Sequence, residues 1–248
     1  KLHEAGCFVL PNPFDVGTAK MLQHTGFKAV ASTSAGFAWS VGKADTKVKL
    51  DEVLAHLTAL SAAVDIPVNA DFEGGFADAP EGVAANVTRA VATGVAGLSI
   101  EDSTGDKADP LYERELAIDA TGADVLLTGR CEAFLWGKPD LKLVTDRLAA
   151  YADAGADCLY APGIKTIEEI TAVVKAVAPK PVNLLIGASG LSLSQATELG
   201  VRRISVGGSL ARMAWAGFMR AAKEMAEQGT FTELANGYPG GELNKIFG

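Results

Sequence analysis

The chain has no run of ~18 or more uninterrupted apolar residues, because glycines, charges or amides punctuate every candidate stretch, so no membrane-spanning helix is expected. Cysteine is scarce. Cys7, Cys131 and Cys158 are odd in number and lack any Cys-x-x-Cys spacing, which argues against a structural zinc and a disulfide framework and suits free thiols in a reducing cytoplasm. Basic charge is in deficit: 22 Lys plus Arg stand against 30 Asp plus Glu, a formal charge of −8, whereas a nucleic-acid partner would call for a basic face. Histidine is rare as well. His3 precedes the first strand-like run, and His24 and His56 fall in helical segments, so a zinc centre or a His acid/base pair at a strand end is not expected. The chain opens on Lys1 rather than Met, which leaves a preceding segment open; the expected location is cytoplasmic.

What is present is a core-former: 248 residues, 48% hydrophobic and 21% charged, enough to bury one large core in a single domain, 1–248. Eight short Val/Ile/Leu-rich runs read as strands: 8–10, 29–32, 68–71, 97–101, 125–130, 157–160, 182–186 and 203–206. Between them lie Ala/Leu-rich segments with helical spacing at 16–24, 50–64, 80–93, 142–154, 166–177, 194–199 and 210–227, and a weaker one at 114–120. Four times a glycine closes the helix and a strand follows, in "HTGFKAV", "ATGVAGLSI", "DAGADCLY" and "ELGVRRISV". Near-continuous apolar strands suggest a parallel sheet buried on both faces. The first strand-to-helix turn, "LPNPFDVGT", lacks the glycine-rich nucleotide fingerprint, so eight such units select an α/β fold of the (β/α)8 TIM-type barrel over an open doubly wound sheet. The tail from Gly229, with "NGYPGGELNKIFG", reads as a loop-like arm for a neighbouring subunit.

In such barrels, chemistry sits at the C-terminal ends of the strands. Here those ends are acidic: Asp71 and Glu73 after strand 3, Glu101 and Asp102 after strand 4, Glu132 after strand 5, and Asp45 in the loop beyond Thr33 and Ser34. Two residues apart in an extended strand, Asp71 and Glu73 are expected on one face. Carboxylates converging at a barrel mouth call for a hard, partly hydrated cation, Mg²⁺ or Mn²⁺; the plainer alternative is a set of helix caps and loop ion pairs. Arg130 is the cation expected in the mouth, to bind a carboxylate or phosphoryl group, or to pair with Glu101 or Glu132. No Lys lies in the inner part of a mid-barrel strand, against Schiff-base chemistry, and Cys131 and Cys158 read as packing thiols. Glycine/serine turns at 187–192 and 207–209 fit either a phosphate cradle or close packing.

The stretches "PNPFDVGTAKMLQHTGFKAVASTSAGFAWSVGKAD", "PVNADFEGGF", "GVAGLSIED", "LLTGRCEAF" and "GVRRISVGGSLAR", in this order, resemble the isocitrate lyase and phosphoenolpyruvate mutase superfamily. The resemblance implies an oligomeric barrel, dimer or tetramer, with a C-terminal helix or arm exchanged between subunits. It also implies Mg²⁺, a small 2-oxo or enolpyruvate-like acid, and cleavage or formation of a C–C or P–C bond beside a pyruvate-type enolate. By motif, Asp71, Glu73 and Glu101 are similar to the acidic residues that hold the ion, largely through water, and Asp45 to the Asp that reaches its water shell. Thr33 and Ser34 fall where the substrate carboxylate is gripped, Arg130 where the departing group is contacted, and Asn183 resembles a further leaving-group contact. The loop after strand 4, "IEDSTGDKADPLYERE", departs from the lyases, which carry Lys-Lys-Cys-Gly-His there. A reaction that needs no loop acid, such as decarboxylation of a 2-oxo diacid, or one with Asp106, Lys107 or Tyr112 in its place, is expected, with Gly105 and Pro110 flanking a lid. The leading reading is thus a Mg²⁺-dependent carbon–carbon lyase with Arg130, Glu101 and Asp45 in catalytic roles; P–C chemistry and a non-catalytic metabolite-binding barrel are the alternatives.

Overall fold

The computed structural model describes residues 1–104, 111, 125–187 and 190–248. Strands β1 (Phe8–Leu10), β2 (Val30–Ala31), β3 (Val68–Asp71), β4 (Gly97–Glu101), β5 (Leu126–Arg130), β6 (Cys158–Tyr160), β7 (Val182–Leu185) and β8 (Arg203–Ser205) form one parallel sheet in the order β1-β8-β7-β6-β5-β4-β3-β2. The remaining gap between β1 and β2 is bridged by Ala31 N–H donating to the Pro11 carbonyl at 3.0 Å. Asn12 reinforces it: its amide donates to the Ser32 carbonyl, and its Oδ1 accepts from the N–H groups of Val206 and Gly207. The result is a nearly closed (β/α)8 barrel. Its described helices are α1 (Val16–His24), α2 (Ser34–Ser40), α3 (Leu50–Ala63), α4 (Pro80–Val91), α5 (Leu141–Asp153), α6 (Ile167–Val177), α7 (Leu193–Glu198), α8 (Ser209–Gln228) and α9 (Gly240–Phe247).

The predicted strands agree with these to within a residue or so at each end, and four of them, β2, β4, β6 and β8, follow a helix-stop glycine. Gly26, Gly94, Gly155 and Gly200, the four helix-stop glycines, all take positive φ (97°, 89°, 110° and 87°), where a side chain would be strained. Helix starts are likewise local: Asp15 caps α1, and Thr166 with Glu169 forms a capping box on α6.

One expectation is corrected. Strands β4 to β8 are not apolar on both faces but alternate, with Leu98, Ile100, Leu127, Leu159, Leu184 and Ile204 packed against the helices and Ser99, Glu101, Thr128, Arg130, Asn183 and Arg203 turned to the barrel axis. Hydrophobic burial therefore sits in the layer between sheet and helices, where Leu57, Leu148, Ile170 and Leu184 are fully enclosed. The axis is polar along β4 to β8, while Phe8 and Leu10 of β1 with Ala29 and Ala31 at β2 form a small apolar cluster.

The tail is a second correction. After α8 it forms a short 3₁₀ turn, Thr232–Asn236, and then α9, whose Leu243 and Ile246 are half-buried and which packs on α1 of the same chain. The Gly/Pro-rich run only delays the helix; the apolar spacing after Pro239 restores it. Helix α2 is also unforeseen. The weak segment 114–120, together with Gly105, Asp106, Lys107, Pro110 and Tyr112, lies outside the described residues. Among the described residues, no helix is long and apolar enough to cross a membrane.

Candidate active site

The C-terminal mouth opens on a cavity of about 170 Å³ lined by Asp45, Asp71, Arg130, Tyr160, Asn183 and Arg203, among others. That is below the ~300 Å³ of drug-sized pockets, so the space suits a small ligand. Arg130 is its centre. Parallel register sets Arg130 beside Glu101 and Tyr160 on the flanking strands, so alternation aims all three at the axis. The guanidinium is met by three carboxylates: Nη1 donates to Asp71 Oδ1 at 2.9 Å, Nη2 lies 3.2 Å from Glu101 Oε2, and Nε donates to Glu132 Oε1. The Tyr160 ring lies beneath it, 5.2 Å from ring centroid to Cζ.

This cluster is buried and carries excess negative charge. Burial alone would lower the Arg130 pKa, but Glu101, Glu132 and Asp71 outweigh it and hold the guanidinium charged. Glu101 moves the opposite way from an ordinary carboxyl, well up, because burial and then Glu132, Asp71 and Glu73 disfavour its charge more than Arg130 favours it. Glu132 is raised for the same first reason.

Asp71 and Glu73 are neighbours, but not by the expected route. Strand β3 ends at Asp71, Phe72 turns into the core, and Glu73 takes a left-handed φ of 47°, so the extended two-residue argument does not apply. The turn is tight: at Gly75, φ 77°, an added Cβ would meet Val83 Cγ1 at 2.7 Å. It delivers Glu73 to a small cavity of about 10 Å³ shared with Asp71, Ser34 and His56. No ion pair or hydrogen bond joins the Glu73 carboxyl to another described residue; burial, then Asp71 and Asp45, push its pKa up to about 7. His56, expected to be remote on its helix, stacks on Phe37 at 3.8 Å beside this acid, and burial holds it neutral with a pKa of about 4.

The other expected residues are placed as follows. Ser34 N–H and Oγ both donate to Asp71 Oδ2, at 2.9 and 3.0 Å, while buried Thr33 caps α2 by accepting from Gly36 N–H. Asp45 stands on the exposed rim. Asn183 is buried deeper, donating to Ser205 Oγ at 2.9 Å and accepting from Arg203 Nε at 3.0 Å. Of the two glycine turns, Gly207 N–H is spent on Asn12, which favours packing there over a phosphate cradle; residues 188–189 of the other lie outside the described set. Burial raises Cys131 and Cys158, as packing thiols require. Sequence reasoning missed Asn12, Tyr160 and Arg203. The period-2 polar positions of β6 to β8 were the available signal.

Among the described residues, no three acidic, His or Cys side chains cluster tightly enough to ligate a metal directly. The donor set still fits Mg²⁺. All its atoms are hard carboxylate oxygens, Glu73 has no cation partner among the described residues, and Mg²⁺ keeps several waters that span wider gaps.

The model of the phosphoenolpyruvate phosphomutase family matches residues 1–226. A solved structure from Burkholderia cenocepacia, assigned provisionally as a lyase/mutase, superposes with a TM-score of 0.94 at 47% identity, covering 99% of this chain and 92% of that one. An uncharacterised protein of Mycobacterium tuberculosis is 33% identical over 83% of this chain and 80% of its own length. The 2-methylisocitrate lyase of Salmonella typhimurium is 29% identical over 59% of this chain, a match that spans 54% of that enzyme. With the family model running through all eight strands, the chain belongs to the phosphoenolpyruvate phosphomutase family, within the superfamily of isocitrate lyases and phosphoenolpyruvate mutases.

Proposed function

We propose that this chain is a Mg²⁺-dependent lyase that cleaves a C–C bond of a small 2-oxo or 2-hydroxy carboxylic acid through a pyruvate-like enolate. The observation that supports it most is the inward cluster of Asp71, Glu101 and Glu132 around one buried arginine, with Glu73 beside it and unpaired among the described residues. Asp71, Glu73 and Glu101 would hold the ion, with Asp45 reaching its water shell. When bound, the ion supplies a Lewis acid for the carboxylate and 2-oxygen of a pyruvate unit and stabilises the charge that develops there. The protein's own groups do the rest. Thr33 and Ser34 line the cavity wall where the substrate carboxylate would bind, and Arg130 faces the departing group with its charge locked on by three acids.

The test is proton and phosphorus NMR of the protein with oxaloacetate, 2-methylisocitrate, isocitrate, dimethylmalate, phosphoenolpyruvate and phosphonopyruvate, each with Mg²⁺ and again with EDTA. Metal-dependent loss of one carboxylic acid with a 2-oxo acid or oxalate appearing is expected. Change confined to phosphorus signals would transfer the chain to P–C chemistry, which the family model keeps in view. Oxalate binding with no turnover of any acid would mark a metabolite-binding barrel.

The exchange of a C-terminal element between subunits is also proposed. Helix α8 buries only Ala211 and Glu224, and Met213, Phe218 and Phe231 are each more than 60% exposed, an apolar surface that a second copy would cover. Light scattering is expected to give a dimer or tetramer, and a monomer at all concentrations would overturn it.

A further inference from the structure

Asp71 and Glu73 enter the mouth from one turn, yet their carboxyl groups are supported very differently. Both oxygens of Asp71 are engaged: Ser34 N–H and Oγ donate to Oδ2, at 2.9 and 3.0 Å, and Arg130 Nη1 donates to Oδ1 at 2.9 Å. The Glu73 carboxyl makes no hydrogen bond or ion pair with another described residue. Its backbone is left-handed, with φ 47°, a conformation that a residue with a side chain keeps only where the surroundings hold it. Beside it stands a second group with an unmet need. His56, from α3, has an enclosed Nε2 with no hydrogen-bond partner among the described residues. Buried polar atoms are normally paired, because leaving one unpaired is costly. Two other enclosed atoms lack a partner, His3 Nε2 and Ser61 Oγ, and neither residue lines a cavity at the mouth.

The imidazole is held in place. It lies flat on the Phe37 ring, with centroids 3.8 Å and planes 9° apart, so its nitrogens sit on an edge that Phe37 does not cover. Phe37 stands one turn along α2 from Ser34, and the short helix that clamps Asp71 therefore also sets the His56 ring. Ser34, Phe37, His56, Asp71 and Glu73 line one cavity of about 10 Å³, room for roughly one water. The chemistry of the pair fits as well. Burial keeps the imidazole neutral, with a pKa of about 4, so it carries one N–H and no charge. A lysine or arginine in its place would cancel the charge that Glu73 brings to the mouth. A neutral donor orients a carboxylate and leaves its charge for an ion.

We infer that His56 is the positioning residue of Glu73: its Nε2–H donates to the carboxylate, directly or through one enclosed water, and fixes the orientation in which that acid faces the metal. This rests on the reading of Glu73 as an ion-holding group. His56 itself touches neither substrate nor ion in this role. Its place on α3, away from every strand end, is why the acidic motif alone does not reveal it.

Nitrogen-15 NMR of ring-labelled, metal-free protein well above pH 7, where Glu73 is ionised, tests the pair without turnover. The chain has 3 histidines, and the His56 signals are those that His56→Phe removes. His56 is expected to carry its proton on Nε2, with a signal that shifts in Glu73→Gln. A proton on Nδ1, or an Nε2 signal indifferent to Glu73→Gln, would overturn the pairing. Calorimetric titration with Mg²⁺ reads the consequence. His56→Phe keeps a ring against Phe37 and removes both nitrogens. About tenfold weaker Mg²⁺ binding is expected, the usual result of losing an outer partner of a metal ligand, with little further loss when the change is added to Glu73→Gln. Wild-type affinity in His56→Phe, or fully additive losses in the double variant, would overturn the positioning role. If Glu73→Gln binds Mg²⁺ like wild type yet still shifts the Nε2 signal, the ion reading fails and the pairing stands. If His56→Phe does not fold, His3→Gln and His24→Gln identify the His56 signals by elimination, and the spectra of wild type and Glu73→Gln decide.

Discussion

Glu101 and Asp102 are consecutive acids at the end of one strand, and they have opposite fates. Glu101 points to the axis, shares Arg130 with two other carboxylates, and is pushed toward its neutral form. Asp102 points outward under α5, where its Oδ1 accepts from Glu132 N–H at 2.8 Å and its Oδ2 from Tyr151 Oη at 2.7 Å and Arg147 Nη1 at 3.2 Å. Outside the wall, one acid meets one cation, a hydroxyl and an amide, and its charge is matched. Inside, three acids meet one cation and the excess is left for a ligand. The same residue chemistry is charge-matched on one face of a strand and left with excess charge on the other, and alternation decides which.

The largest effect is expected inside. Arg130→Met should lower kcat/KM on the productive acid by about 10²–10³-fold, as loss of one preorganised charge contact does, measured by steady-state kinetics with Mg²⁺. Little change would remove Arg130 from the chemistry. Outside, Asp102→Asn removes the anion opposite Arg147 in a buried cluster and should cost about 3 kcal/mol of stability, a melting-point fall on the order of 6–12 °C, with a far smaller effect on turnover at temperatures where the protein stays folded. If instead the Asn variant melted like wild type and lost turnover, the distinction between the two faces would collapse. Glu73→Gln sharpens the inner side: a Mg²⁺ titration of activity or calorimetric binding should show about 10–100-fold weaker metal affinity, and unaltered metal dependence would take Glu73 out of the ion site.

The smallest effect concerns Glu224 on α8, far from the mouth. Its carboxylate accepts from Thr230 and Thr232 hydroxyls and from the amides of Thr232 and Glu233, and these bonds, the Thr230 one first, lower its pKa to about 2. A carboxyl whose folded pKa lies below the ordinary 4.5 adds stability above that value and loses it as pH falls toward 2. Glu224→Gln should therefore melt slightly lower than wild type at pH 7, and the gap should close between about pH 4.5 and pH 2. A gap independent of pH would mean that the charge contributes nothing.

Much of the barrel was legible because its signals are local. A helix-stop glycine needs only its own φ, and a capping pair only four residues, so strand and helix positions came out close to where they stand. The acids at the mouth were legible too, since whatever follows a barrel strand arrives at the same end. Other features depended on more than the neighbouring residues. Glu73 reaches the site through a left-handed turn that extended geometry does not describe, and α9 packs on α1, a partner that "NGYPGGE" does not reveal. His56 stacks on Phe37 across the gap between α2 and α3 and lines the same small cavity as Glu73, a meeting that no spacing along the chain encodes.

The sequence by itself determined the repeating unit, the eight strands, the acidic strand ends and the family, because each is written in short stretches whose physics is complete within a few residues. Only the tertiary structure decided which of those polar residues share a space. Arg130 at the end of β5 collects Asp71 from β3, Glu101 from β4 and Glu132 from just beyond its own strand, and Arg203 on β8 finds Thr128 on β5 and Asn183 on β7. These encounters follow from strand register and barrel closure, and their energies come from excluding water around charges that lie far apart along the chain.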